Sequence, residues 1–62
     1  MISPLASVDS TAKIGKNVTI QPFAYIEGDV EIGDDCVIMS NASILKGTRL
    51  GKGNKVHHGA VL

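Results

Sequence analysis

The sequence has little cysteine, few aromatic residues and no long apolar run. Cys36 is the single cysteine among 62 residues, so no disulfide can form within the chain. The aromatic residues are Phe23 and Tyr25 alone, and no cluster of basic residues accompanies them. This composition argues against nucleic-acid binding. No apolar stretch approaches the ~18 residues that span a bilayer. The sequence therefore predicts no disulfide framework, no nucleic-acid partner and no membrane span.

The N-terminus and the charge balance carry no targeting or binding signal. Residues 1–10 lack the positive n-region and the apolar h-region of a secretory signal. Six basic and six acidic residues are interspersed along the chain and give a formal charge of zero. A lone unpaired cysteine is typical of a reducing compartment. We therefore expect a soluble cytoplasmic protein.

The length of 62 residues lies near the lower limit for a domain that folds alone. Ordering each residue costs roughly 1.5 kcal/mol, which burial of a small core barely offsets. Since a disulfide is excluded, stability must come from oligomerisation, from a metal or from a longer polypeptide.

Aliphatic residues recur at every sixth position through the whole chain. The series runs Ile2, Val8, Ile14, Ile20, Ile26, Ile32, Ile38, Ile44, Leu50, Val56 and Leu62. Two residues before each aliphatic residue stands a small or β-branched one, with Asn54 as the one poor fit. A helix would turn successive aliphatic side chains through roughly 240°, which would scatter them around its axis. A short strand instead places the two series on one face.

Turn-forming residues separate these short strands. Three residues after an aliphatic position come Asn17, Asp29, Asp35, Asn41, Gly47, Gly53 and Gly59, whose residue types tolerate a left-handed backbone. Leu5, Thr11 and Phe23 break this rule, which predicts a less regular start. Alternating strands and corners describe a chain wound around a three-sided prism, with 18 residues in each coil.

The repeat resembles the hexapeptide-repeat family, whose members fold as left-handed parallel β-helices. The handedness comes from the resemblance, since general crossover rules would favour the right hand. The predicted fold class is therefore all-β, a left-handed parallel β-helix of about three and a half coils over 62 residues. We expect residues 1–62 to form a single segment, the N-terminal part of a longer β-helix domain.

The 18-residue period also sorts the outward side chains by face. Beside Ile14, Ile32 and Leu50 these are charged residues or glycine, which predicts a solvent face. The other two faces carry outward apolar residues, and clusters of these mark interfaces. The predicted interface consists of Tyr25, Val37, Met39, Leu45, His57 and Val61. The family resemblance implies that this surface forms a homotrimer.

No group of residues forms a convincing catalytic constellation. His57 and His58 are consecutive, so their side chains diverge on a strand and chelate one ion poorly, although a site completed by another subunit stays open. Asp34 and Asp35 are consecutive at a corner and are expected to cap it. Cys36 falls in an inward small-residue slot. We predict no catalytic residue, no substrate-binding residue, no metal ligand and no cofactor within residues 1–62.

Several stretches resemble the start of the acyl-carrier-protein-dependent UDP-N-acetylglucosamine O-acyltransferases of lipid A synthesis. They are P-F-x-x-I at 22–26, I-G-D-x at 32–35, G-T-R-L-G-x-G-N at 47–54 and G-A-V-L at 59–62. The resemblance implies a parent enzyme in which a histidine activates the sugar 3-hydroxyl to take a (3-hydroxy)acyl chain from acyl-carrier protein. That family's catalytic histidine lies in later coils, so the 62-residue chain alone is expected to be inactive.

Two alternatives remain at this stage. The stretch GDVEIGDDCVI, residues 28–38, would suit a γ-carbonic-anhydrase-like zinc protein, but the Trp-Pro and Arg-Gly-Asp stretches expected soon after it are missing. The second alternative is a non-catalytic, self-associating β-solenoid, because an open last coil would expose unpaired backbone.

Overall fold

The computed structural model describes all 62 residues, which form nine two-residue strands and no helix. The strands are β1 Ser7–Val8, β2 Lys13–Ile14, β3 Thr19–Ile20, β4 Tyr25–Ile26, β5 Glu31–Ile32, β6 Val37–Ile38, β7 Ser43–Ile44, β8 Arg49–Leu50 and β9 Lys55–Val56. No helix long and apolar enough to cross a membrane exists in this chain.

Every third strand pairs in parallel, which produces three sheets of three strands. The orders are β2-β5-β8 on what we call the first face, β1-β4-β7 on the second face and β3-β6-β9 on the third face. On the first face Ile14 pairs with Ile32 and Ile32 with Leu50, an offset of 18 residues at each step. Bridges from Ile2 to Ile20 and from Ser43 to Val61 extend the same order toward the two ends. The predicted prism of 18-residue coils is confirmed. The first coil covers residues 1–18, the second 19–36 and the third 37–54.

Each strand has one inward and one outward side chain, and the inward ones stack into a single core. The core residues are Val18, Ile20, Ala24, Ile26, Val30, Ile32, Cys36, Ile38, Ala42, Ile44 and Val56. These come from the two series separated by two residues, so both predicted series point inward. Burial of each large aliphatic side chain contributes about 1.5–3 kcal/mol. Asn54 stays exposed and donates a hydrogen bond from Nδ2 to the Gly51 carbonyl oxygen, consistent with its poor fit.

The corners have the left-handed backbone that the sequence predicts. All seven expected residues have φ between 54° and 87°. Phe23 departs from the expectation because it also has a positive φ, 68°, although Leu5 and Thr11 do not. A bulky L-residue pays roughly 1–2 kcal/mol for this conformation. Its side chain is 63% exposed, so burial in this chain does not offset that strain.

Two glycines of the first face allow successive coils to approach closely. A Cβ atom on Gly33 would lie 2.6 Å from the backbone nitrogen of Lys52, and one on Gly15 would lie 2.8 Å from that of Asp34. Gly51 differs, because the nearest atom to its Cβ would be Asn54 Nδ2 at 3.8 Å.

Candidate functional site

The residues predicted to form an interface lie on the second and third faces. Tyr25, Leu45 and Val61 point outward from the second face and are 45%, 40% and 64% exposed. Val37 and Met39 project from the third face and are half-buried. His57 is exposed on the third face, one coil above Met39. The six residues therefore lie on two faces that meet at one corner of the prism.

The corner between these faces adds two apolar residues that sequence reasoning did not assign to the interface. Leu5 and Phe23 occupy the same corner slot in successive coils and are 61% and 63% exposed. The Phe23 N–H donates to the Leu5 carbonyl oxygen at 3.3 Å, which fixes the stacking of the two residues. The available signal was their large apolar side chains at a corner position that holds Asn41 and Gly59 in the later coils.

The side of the prism around this corner, which we call the uncharged side, has no charged residue next to the corner. Asp9, Glu27 and Lys55 point outward at its margins, farther out on the same two faces. Residues 21–26 and 37–45, which include the outward positions at this corner, contain no Lys, Arg, Asp or Glu. On the opposite side Arg49 pairs with Asp29 at 3.0 Å and with Glu31 at 3.5 Å. Since charged residues are depleted from interface cores, the distribution favours contact on the uncharged side and solvent on the first face.

Within this chain, His57 and His58 do not lie in a group of side chains that could hold a metal ion. His58 Nδ1 lies 3.2 Å from the Ser40 carbonyl oxygen, and both side chains are exposed. No group of three or more His, Cys, Asp and Glu side chains is arranged to hold a metal ion. A catalytic zinc normally has three protein ligands. A γ-carbonic-anhydrase-like centre would therefore need ligands from another subunit.

Asp34 and Asp35 link two coils at a corner, Asp34 through its carboxylate and Asp35 through its backbone N–H. Asp34 Oδ1 accepts a hydrogen bond from the Lys16 backbone N–H at 2.7 Å. The Asp35 N–H donates to the Lys16 carbonyl oxygen at 2.9 Å. The Asp34 carboxylate therefore caps the corner, as the sequence suggested for the pair, whereas the Asp35 carboxylate makes no hydrogen bond. Cys36 is fully buried, and its Sγ donates to the Gly51 carbonyl oxygen at 3.1 Å, which is a packing position.

A polar network that sequence reasoning missed lies at the corner between the second and first faces. The Asp9 carboxylate accepts from the Thr11 N–H at 2.8 Å and from the Thr11 hydroxyl at 2.7 Å. The Thr11 oxygen in turn accepts from the Asp29 N–H at 3.2 Å. The two bonds from Thr11, first the backbone one and then the hydroxyl, lower the pKa of Asp9 below its ordinary value of 3.8.

We expect the Thr11→Val variant to raise the pKa of Asp9 part of the way toward 3.8, because the larger backbone contribution remains. Because the pKa of Asp9 is lower in the folded chain than in the unfolded chain, its ionised carboxylate stabilises the fold at pH values above the pKa of the unfolded chain. This stabilisation is lost as the pH falls through the pKa of Asp9 in the folded chain. The stability difference between the parent chain and the variant should therefore shrink in acid. An NMR titration of the Asp9 carboxyl carbon measures the shift, with Ser10→Ala as control. An unchanged Asp9 pKa in Thr11→Val would contradict the assignment.

The amino-acid sequence matches a known protein family and several curated relatives. The model of the family described as bacterial transferase hexapeptide (six repeats) matches residues 11–44 and 29–62. The chain is 38% identical over 61 residues to acyl-[acyl-carrier-protein]–UDP-N-acetylglucosamine O-acyltransferases of Brucella ovis and Brucella abortus. The match covers 98% of this chain and 22% of each of those proteins.

Two solved structures have the same coil geometry. The UDP-N-acetylglucosamine acyltransferase from Campylobacter jejuni has a TM-score of 0.98 at 34% identity, covering 100% of this chain and 25% of that one. The Arabidopsis UDP-N-acetylglucosamine acyltransferase has a TM-score of 0.96 at 33% identity, covering 98% of this chain and 21% of that one. The predicted left-handed parallel β-helix is confirmed. The chain spans about a quarter or less of the proteins that it matches.

Proposed function

Because the chain belongs to the bacterial transferase hexapeptide family, we propose that it is the N-terminal β-helical part of an O-acyltransferase. The reaction moves an acyl chain, of the 3-hydroxyacyl class, from acyl-carrier protein to the 3-hydroxyl of UDP-N-acetylglucosamine, a step of lipid A synthesis in the cytoplasm. The observation that carries this proposal is the likeness over 98% of the chain to proteins named for this reaction.

Residues 1–62 support this reaction without performing it. The sugar oxygen forms a bond to the acyl carbonyl carbon, the carbon–sulfur bond breaks, and the carrier thiol leaves. A general base must take the hydroxyl proton, and a histidine suits this task near neutral pH. His57 and His58 are exposed with no carboxylate partner, and the described residues include no group aimed at a common reacting atom. We place the base and both substrate sites outside residues 1–62, so this chain alone should show no turnover.

A coil exchange tests the proposal. Residues 1–62 replace the matched coils of the Campylobacter jejuni acyltransferase, whose geometry agrees at a TM-score of 0.98. The chimera should transfer an acyl chain from acyl-carrier protein to UDP-N-acetylglucosamine, whereas the same exchange carrying Ile32→Asp should not. A chimera that folds and assembles like the parent enzyme but transfers nothing would overturn the proposal.

The uncharged side of the prism is proposed to join three subunits. The supporting surface combines the six predicted residues with Leu5 and Phe23, whose strained backbone keeps a large aromatic side chain at the corner. Aromatic residues and methionine are enriched in interfaces. The presence of Phe23 at a position that Asn, Asp or Gly would occupy with less strain is consistent with a contact role.

Met39→Lys is expected to convert the trimer into monomers, because it places a charge in the centre of the proposed interface. The matched control is Gly51→Lys, which adds the same charge on the first face, where a side chain has open space. Sedimentation equilibrium measures the mass of both variants beside that of the parent chain. Equal masses for the two variants would show that the interface lies elsewhere.

A further inference from the structure

Phe23 is a large aromatic residue at a turn position that favours glycine or asparagine. Residues 21–24 form a turn that is closed by a hydrogen bond from the Ala24 N–H to the Gln21 carbonyl oxygen at 3.4 Å. Pro22 is the second residue of this turn, and Phe23, with φ 68°, is the third. A turn with proline second and a positive φ third favours Gly or Asn at the third position. The residue preference of the turn therefore does not account for Phe23.

The later turns at the same corner contain the residues that this conformation prefers. Residues 39–42 and 57–60 are closed by equivalent bonds from alanine N–H groups, at 3.3 and 3.2 Å. Their third residues are Asn41, with φ 66°, and Gly59, with φ 73°. The coil can therefore turn this corner without an aromatic residue, and the fold does not require the strain at Phe23.

The Phe23 ring has little cover from its own chain. Its side chain is 63% exposed, and Leu5, directly below it, is 61% exposed. Asn41 lies directly above and is also exposed. Because coils lie both below and above Phe23, the exposure comes from the outward direction of the corner. Strained backbone conformations concentrate at functional sites, so an exposed and strained aromatic residue points to a partner that covers it.

The position of this corner indicates what the partner is. The second and third faces meet there, and the charged side chains of Asp9, Glu27 and Lys55 lie farther out on these faces. Contact between the second face of one copy and the third face of the next is heterologous, and such contacts form a closed ring when the rotation permits. In a ring of three parallel copies, the corner shared by the two faces points toward the symmetry axis.

We infer that Phe23 lies at the symmetry axis of the trimer, where the rings of three copies of this chain pack against one another. This inference rests on the trimer proposed above and names the residue on which its assembly depends. Packing of the aromatic rings and their removal from water offset the strain of the corner. Phe23 therefore destabilises the single chain and stabilises the assembly, two effects of opposite sign from one side chain.

The Phe23→Asn variant tests this opposition, because it gives the corner the residue that the next coil already has there. Sedimentation equilibrium should show that the concentration at half-dissociation rises about tenfold or more, as for loss of an aromatic interface residue. In urea, at concentrations where parent and variant are both monomeric, the variant should have the larger folded fraction. A residue with only a structural role in its own chain would not move these two measurements in opposite directions.

Two further variants separate the contributions of the ring and of the backbone strain. Phe23→Leu keeps a strained apolar residue without the ring, so it should weaken assembly without stabilising the monomer. Asp35→Asn places asparagine at another left-handed corner, between the first and third faces, where φ is 62° and the side chain is exposed. This control should assemble like the parent chain.

The outcomes distinguish the axial position of Phe23 from the trimer itself. If Phe23→Asn assembles as tightly as the parent chain while Met39→Lys is monomeric, the trimer stands and the axial position of Phe23 is overturned. A parent chain that is monomeric at every concentration would overturn both. A Phe23→Asn monomer less stable than the parent monomer would contradict the strain assigned to this corner.

Discussion

The Ile32→Asp variant is expected to be unfolded under conditions in which the parent chain folds. Ile32 is 3% exposed in the middle of the stacked core, where a carboxylate would have neither water nor a partner. Losing a buried isoleucine side chain alone costs about 2–5 kcal/mol, and burying the charge adds to this. Stability of about 0.05–0.15 kcal/mol per residue gives a 62-residue chain only a few kcal/mol to lose. Circular dichroism with thermal melting measures the result.

Two control variants separate the effect of a charge in the core from the effect of a smaller core side chain and from that of an added surface carboxylate. Ile32→Val should fold and lose about 0.5–1.5 kcal/mol, since it removes one methylene group. Ser7→Asp places the same carboxylate at an exposed outward position and should leave the melting curve nearly unchanged. If Ile32→Asp melted like the parent chain, the inward register of the aliphatic series would be wrong.

The Gly33→Ala variant is expected to lose about 1–3 kcal/mol or more, because a methyl group there meets backbone atoms rather than a flexible side chain. Its Cβ would approach the Lys52 nitrogen to 2.6 Å and the Gly51 carbonyl carbon to 2.7 Å. The second and third coils would have to separate on the first face, and the bond from the Gly33 N–H to the Leu50 carbonyl oxygen would weaken. Urea unfolding gives the change in free energy.

Gly51→Ala is the matched control for this substitution. It makes the same chemical change one coil higher, at a position where the nearest atom would be 3.8 Å away. Its stability should stay within about 0.5 kcal/mol of the parent chain, as for an ordinary surface substitution. If both alanines destabilised the chain equally, loss of glycine itself, rather than contact between the second and third coils, would be the cause.

The fold could be predicted because one period determines most of it. The aliphatic residue at every sixth position defines the inward side, and the seven Asn, Asp and Gly residues at the corners supply the backbone conformation that closes each turn. Each of these signals is local and repeated, and Asn54, the one poor fit to the small-residue series, is exposed in the structure. The handedness was taken from the family resemblance, because both hands are compatible with the spacing.

The contacts between coils could not be predicted in the same way. Nothing in the spacing of Gly15 and Gly33 shows that a Cβ atom on either would meet the backbone of the next coil. The bonds between Asp9 and Thr11 join residues two apart, but their link to Asp29 depends on stacking. The positive φ of Phe23 opposes its residue preference and is imposed by the corner geometry. These features depend on which atoms meet across 18 residues.

Because paired strands are 18 residues apart, this chain can gain or lose whole coils without changing which side chains point inward. Removing residues 19–36 as a block would bring Ile14 beneath Leu50 and Val8 beneath Ile44, so every inward side chain would keep its side. Removing a single residue from a strand would instead turn all later side chains to the opposite side. The block deletion still places Lys13 beneath Arg49 and Lys16 beneath Lys52, which opposes like charges. The geometry therefore permits the gain or loss of whole coils, but the charges of residues that face each other across the contact determine which coils can be neighbours.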